Sequence, residues 1–315
     1  MTKATKKFPT QKLLLYVFAV IGFGVVGLLL GSYIGGGLHI SFGSSQQQDA
    51  SPNAEKTAAK AADKLDTYDR IVKSGTIVCG YFPWPGFAEK NVNTGELSGI
   101  QIDAVNQAFA TLDLKVEWKE VIIGAQVEDL TNGKVDAVCL DAPFVMSAGK
   151  FVEYSNPFYG SKAVVYARTD EQRFTKLSDL NNETVRFSGI DGDFSMDLAQ
   201  RLFPKAKMIS MPGTTDPTQL FVNLTTRKAD VLLTDPMSFQ LFEKSNPNQL
   251  KGLFAGKAIG VYKIVASVRK GDFKTLGLIN QAIDNAASFG ITDAVLNKFD
   301  PDLRFMQRVR SPYID

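Results

Sequence analysis

Histidine is nearly missing from this chain: one residue of 315, His39, and only two cysteines, Cys79 and Cys139, accompany it. A structural zinc site wants four Cys or His ligands, so none is expected. No Ser-His-Asp or Cys-His machine can be built beyond His39. Two cysteines also exclude a disulfide-dense secreted scaffold. Glycine (26) and proline (13) are too sparse for a collagen-like or low-complexity chain, and 44% hydrophobic residues exclude a disordered one. Excess positive charge is absent as well. The net charge of +2 owes everything to Lys3, Lys6, Lys7 and Lys12; without them 31 basic residues face 33 acidic ones. A nucleic-acid partner is therefore not expected, and no motif calls for a cofactor. What remains is a length that accommodates two ordinary domains or one bilobed unit.

Charge is also missing from Leu13 to Leu38, a mostly apolar and glycine-rich run. About 20 such residues cross a hydrocarbon core. The four lysines precede it and the next charge is Asp49, so residues 1–12 are expected in the cytoplasm and the rest outside. A cleaved signal peptide is the competing reading. The run shows no A-x-A site and no lipobox cysteine, and it exceeds the usual signal length, which favours an anchor over 13–38. Gly22, Gly24 and Gly27 spell G-x-G-x-x-G, but no strand precedes them, so a dinucleotide site is rejected. Gly27, Gly31 and Gly35 share one helix face and offer a weak homodimer contact; the plainer reading is the general abundance of glycine in membrane helices. Residues 39–65, rich in Ser, Gln, Ala and Lys, read as a tether.

From Tyr68 onward strand and helix patterns alternate. Strands are expected at Thr76–Cys79, Lys115–Trp118, Ala137–Leu140, Val164–Ala167, Val185–Phe187 and Val231–Leu233. Helices are expected at Ile102–Leu112, Val127–Asn132, Met196–Leu202, Pro217–Thr226, Phe273–Ser288 and Ile291–Phe299. Such alternation predicts an α/β fold with parallel sheets, whose ligands bind at strand carboxyl ends.

Several stretches carry a resemblance. They are Lys73–Gly80, Thr94–Asp103, Leu130–Val138, Glu153–Tyr159 (in place of D-F-S-x-P-Y-Y), Ala229–Pro236 and Ser267–Asp272. In this order and spacing the chain, over about 66–310, resembles the extracellular solute-binding proteins that serve polar amino acid ABC transporters. The resemblance implies a two-lobed type II periplasmic-binding-protein fold, here preceded by one N-terminal transmembrane helix. Lobe one would comprise 66–160 and 261–315, and lobe two 161–260. A ligand would sit between the lobes, trapped by hinge closure. The location implied is the outer face of the cytoplasmic membrane, and the partner an ABC permease.

The resemblance also implies a pocket, from which this chain departs. The family's carboxylate-binding Arg falls on Ala148, and two small or hydroxyl positions before it fall on Asp141 and Pro143. The turn that caps the carboxylate falls on Gly192-Asp193-Phe194, while the amine-binding Asp is retained as Asp235. Losing a bidentate guanidinium and gaining an acid disfavours any carboxylate ligand. Asp141 and Asp235, with Asp193, suit a cation instead. Trp84 matches the family aromatic that stacks on the ligand. Tyr81, Phe82 and Phe87 cluster with it, and Phe144, Tyr159 and Phe194 are further candidates. Aromatic faces attract cations.

Blander roles compete at each position. Tyr81 and Phe82 fit a core under the strand end, Phe144 fits a lobe interface, and Asp141 fits a local ion pair. Asp193 stands where a helix N-cap is expected. Asp103 and Asp136 also match family acids and read as structural. Cys79 and Cys139 end two strands of lobe one. A bridge between neighbouring parallel strands is geometrically demanding, so two buried thiols are the expectation.

The expected function is capture of a small cationic, amine-containing ligand for uptake, without catalysis. The alternatives are a ligand sensor or assembly factor, an amino-acid binder with a relocated carboxylate site, and a dehydratase-like enzyme on the same fold.

Overall fold

The computed structural model describes residues 66–141 and 148–309. The expected anchor, the tether and Phe144 lie outside these residues, as do Gly27, Gly31 and Gly35. Among the described residues no helix is long and apolar enough to cross a membrane.

Helix α1 (Thr67–Ser74) opens under the Asp66 carboxylate, which accepts the Asp69 amide at 2.8 Å, and closes at Gly75 in the left-handed conformation. It leads into β1 (Thr76–Tyr81). A short hairpin, β2 (Glu89–Lys90) and β3 (Leu97–Ser98), precedes α2 (Ile100–Ala110). Next come β4 (Lys115–Glu120), α3 (Gln126–Thr131) and β5 (Ala137–Asp141). Strands β4, β1 and β5 lie side by side and parallel. All five residues of β5 are buried, as a strand covered on both faces requires.

Two ten-residue strands then tie the molecule together. After β6 (Val152–Tyr154), β7 runs from Tyr159 to Arg168. The second half is built from β8 (Arg186–Ile190), α4 (Phe194–Leu202), β9 (Lys207–Met211), α5 (Gln219–Thr225), β10 (Val231–Thr234), α6 (Pro236–Ser245) and β11 (Leu250–Gly252). Its parallel strands take the order β10-β8-β9. Strand β12 (Gly260–Arg269) then returns, pairing with β7 through Gly260–Ile264 and with β5 through Val265–Val268. Helices α7 (Phe273–Ser288) and α8 (Ile291–Phe299) pack against α2, and β13 (Met306–Gln307) pairs with β7. The sheet order is β4-β1-β5-β12-β7-β10-β8-β9. Two parallel α/β halves thus meet at an antiparallel pair of long strands, the two-lobed type II architecture.

The cysteines correct the expectation. Cys79 and Cys139 form a disulfide. Cys79 is in register with Ala137, two residues before Cys139, so both side chains leave the same face. The bridge therefore runs diagonally between β1 and β5, with a Cα–Cα distance of 5.4 Å that suits it. The bridge fixes the carboxyl ends of the two strands from which the Phe82–Phe87 segment and Asp141 emerge.

Candidate functional site

A cavity of about 70 Å³ lies where the carboxyl ends of β1 and β5 face the N-termini of α4 and α6. One wall carries Phe82, Trp84, Phe87, Leu140 and Asp141 from the first half. The opposite wall carries Gly192, Asp193, Phe194, Ser195 and Asp235. Ile123 and Gln126 come from the β4–α3 corner, and Tyr262 and Ile264 from β12.

Local chemistry places the acids. Asp193 is the N-cap of α4 and accepts the Ser195 amide at 3.2 Å. Asp235 is the N-cap of α6, where Pro236 supplies the preset first-turn backbone. Its Oδ1 accepts the Ser238 amide at 2.7 Å. Its Oδ2 accepts the Ser238 hydroxyl at 2.7 Å and, from the other half of the molecule, Trp84 Nε1 at 2.9 Å. Asp141 ends β5, and its Oδ2 accepts the Ser267 hydroxyl at 2.6 Å. Burial pushes the Asp193 carboxyl up to about 6, against the donors of Ser195 and Phe194. Burial likewise raises Asp235, despite the Ser238 and Trp84 bonds.

The two halves touch around this cavity. The Ser238 hydroxyl reaches the Pro85 carbonyl at 3.2 Å. Gly192 approaches Gly124 so closely that a Cβ on Gly192 would meet the Gly124 backbone. The aromatic lining is mutually braced: Phe82 meets Trp84 edge-on at 6.3 Å, and Phe194 meets Tyr262 edge-on at 4.8 Å.

Of the residues singled out in the sequence, Phe82, Trp84, Phe87, Asp141, Asp193, Phe194 and Asp235 come together at this cavity. Tyr81 and Tyr159 do not reach its wall. The Tyr81 hydroxyl donates to Glu120 at 3.3 Å and its ring packs edge-on against Trp118. Tyr159 is fully buried in β7. Asp103 pairs with Lys298 at 2.6 Å, while Asp136 holds Arg70 and the Val78 amide, so both are structural. Sequence reasoning missed Gln126, Ser195, Tyr262 and Ile264. Tyr262 had a readable signal in the Gly260–Ile264 run; Gln126 had none, because only its helix's position against β5 brings it in.

The comparisons with known proteins add the decisive likeness. Residues 77–300 match the model of the bacterial extracellular solute-binding proteins, family 3. The chain belongs to that family. A glutamine-binding protein of an ABC transporter from Bacillus subtilis, GlnH, is 23% identical over 76% of this chain and 87% of its own length. The probable ABC transporter extracellular-binding protein YckB of the same organism is 26% identical over 55% of this chain, which spans only 61% of that relative. Among solved structures, the ancestral amino acid-binding protein AncCDT-1, a precursor of cyclohexadienyl dehydratase, superposes with a TM-score of 0.61 at 23% identity, covering 75% of this chain and 99% of that one. The cysteine-binding protein of Campylobacter jejuni gives 0.62 at 20% identity, with 75% and 93% covered. At such identity these structures support the fold alone.

Proposed function

We propose that this family member captures a small cationic, amine-bearing ligand in the interlobe cavity and delivers it to an ABC permease, held at the membrane by residues 13–38. The observation that carries the reading is the charge of the lining. Asp141, Asp193 and Asp235 face the cavity, and no Lys, Arg or His is among its described lining residues. The adjoining residues 142–147 contain no ionisable side chain either. A carboxylate brought into such a pocket meets repulsion without a compensating base. An ammonium or guanidinium group meets acids and the faces of Trp84, Phe87 and Phe194. The same charge balance speaks against a dehydratase acting on a carboxylated substrate.

The competing reading is an amino-acid binder with a relocated carboxylate site. It draws on the names of the relatives, and on the amides at the N-termini of α4 and α6. Thermal unfolding separates the two. Choline, putrescine or agmatine should raise the midpoint, while glutamate and glutamine leave it in place. Stabilisation by glutamate or glutamine alone would falsify the cation reading.

A further inference from the structure

Asp193 and Asp235 cap two helices that point at one cavity, but their carboxylates are engaged differently. Asp235 receives the Ser238 amide, the Ser238 hydroxyl and Trp84 Nε1, with the Thr234 hydroxyl at 3.4 Å from Oδ2. A carboxylate offers about four acceptor positions, so Asp235 is essentially filled. One of its donors, the Trp84 indole, comes from the opposite lobe and is itself buried, at 9% exposure. Among the described residues, Asp193 is engaged only by the first turn of its own helix, through Ser195 and Phe194. Around it stand the Phe194–Tyr262 pair and a Tyr262 hydroxyl that lies 3.2 Å from Ser195 Oγ.

We propose that Asp193 anchors the ligand's cation, and that Trp84 reserves Asp235 as the bridge between the lobes. The inference rests on the cation reading above. Its physical ground is an asymmetry in what a ligand ammonium would displace. At Asp235 it would evict the indole N–H and leave a buried donor without a partner. At Asp193 it would add a strong, charge-assisted bond without disturbing the interlobe contact. Trp84 is thereby a positioning residue, and Asp193 sets the preference for a cation. An acid stands there, beside the glycine of the turn that would otherwise cap a carboxylate.

The test uses Asp193→Asn and Asp193→Ser in the full chain. Both replacements at 193 keep a good N-cap while removing the charge. Affinity for choline, putrescine and agmatine is measured by calorimetry. The indole ¹⁵N–¹H resonance of Trp84, one of two Trp in the chain, is followed during each titration. The expected result is at least a tenfold loss with both variants at 193, and a Trp84 resonance that stays hydrogen-bonded at saturation. A Trp84 resonance that moves to its solvent position at saturation overturns the inference. Unchanged affinity in either variant at 193, with wild-type binding intact, overturns it alone. Failure of all three amines to bind the wild type overturns the cation reading with it.

Discussion

Two sets of acids in the second lobe, Glu171 and buried Asp230 in one, buried Asp235 and half-buried Asp193 in the other, differ in what faces them. At the end of the sheet away from the cavity, Asp230 accepts from the Arg186 amide and Nε at 2.9 Å and from Arg173 at 2.8 Å. Beside it Glu171 holds Arg173, with Arg168 at 3.5 Å. Burial pushes Asp230 up, but Arg186 and Arg173 outweigh it and leave the carboxyl below its ordinary value. The hydrogen bond from Arg173 lowers Glu171 as well. At the cavity, Asp193 and Asp235 receive amides, hydroxyls and an indole, none of which carries charge, and burial raises both. The protein neutralises one cluster from within and leaves the other to its surroundings. Burial sets the stakes in both places; the presence of an internal cation decides the sign.

The largest expected effect breaks the first cluster. Asp230→Asn leaves Arg186, Arg173 and nearby Arg168 without their shared acceptor. Because Arg173 and Arg186 are 47% and 37% exposed, water recovers part of the loss. The cost should be about 2–3 kcal/mol in urea unfolding, with amine affinity unchanged. A neutral outcome would put the arginines on a par with surface pairs.

The opposite sign is expected at the cavity. Asp193→Asn keeps the cap and removes a charge that no cation among the described residues balances. At pH 8 the free protein should gain about 1 kcal/mol. Destabilisation comparable to that of Asp230→Asn would erase the distinction between the two clusters.

Much of this architecture is readable from residue order, and the places where it is not share a cause. Helices Phe273–Ser288 and Ile291–Phe299 coincide with their apolar periodicity. Helix Pro236–Ser245 is not among the expected helices, although an Asp followed by Pro is a start signal; Asp235, expected at the ligand, is also the cap of that helix. Strand Lys207–Met211 pairs only with β8 and carries a half-exposed pattern too weak to stand out. The cysteine bridge depends on the offset between β1 and β5, which no single strand reveals. The cavity is similar. Position in the chain separates Trp84, inside it, from Tyr81, turned toward Glu120, by only three residues. Which face a side chain leaves by is a property of the twisted sheet, and composition does not carry it.

The smallest effect, and the sharpest in form, is the pH dependence. The Asp193 carboxyl is held at about 6 in the folded protein, above its ordinary 3.8. The folded state therefore binds this proton more tightly than the unfolded chain does. Its contribution to stability is complete below about pH 4 and disappears as pH rises through about 6. Asp235, raised by burial, acts in the same direction. The paired acids Glu171 and Asp230 are lowered and lose their stabilisation only on acidification below the ordinary carboxylate range. The only histidine, His39, lies outside the described residues, and no Lys or Arg is among the described lining residues of the cavity. Between pH 5 and 7 the stability of the free protein should thus fall by about 1 kcal/mol or less, and the fall should shrink in Asp193→Asn. Amine binding needs the ionised form, so affinity should run the other way, rising from pH 5 to 7 and approaching tenfold per unit below the midpoint. The advantage of Asp193→Asn seen at pH 8 should vanish near pH 4, where the wild-type carboxyl is itself neutral. An advantage that persisted unchanged to pH 4 would trace to packing, and the contrast between balanced and unbalanced acids would lose its electrostatic basis.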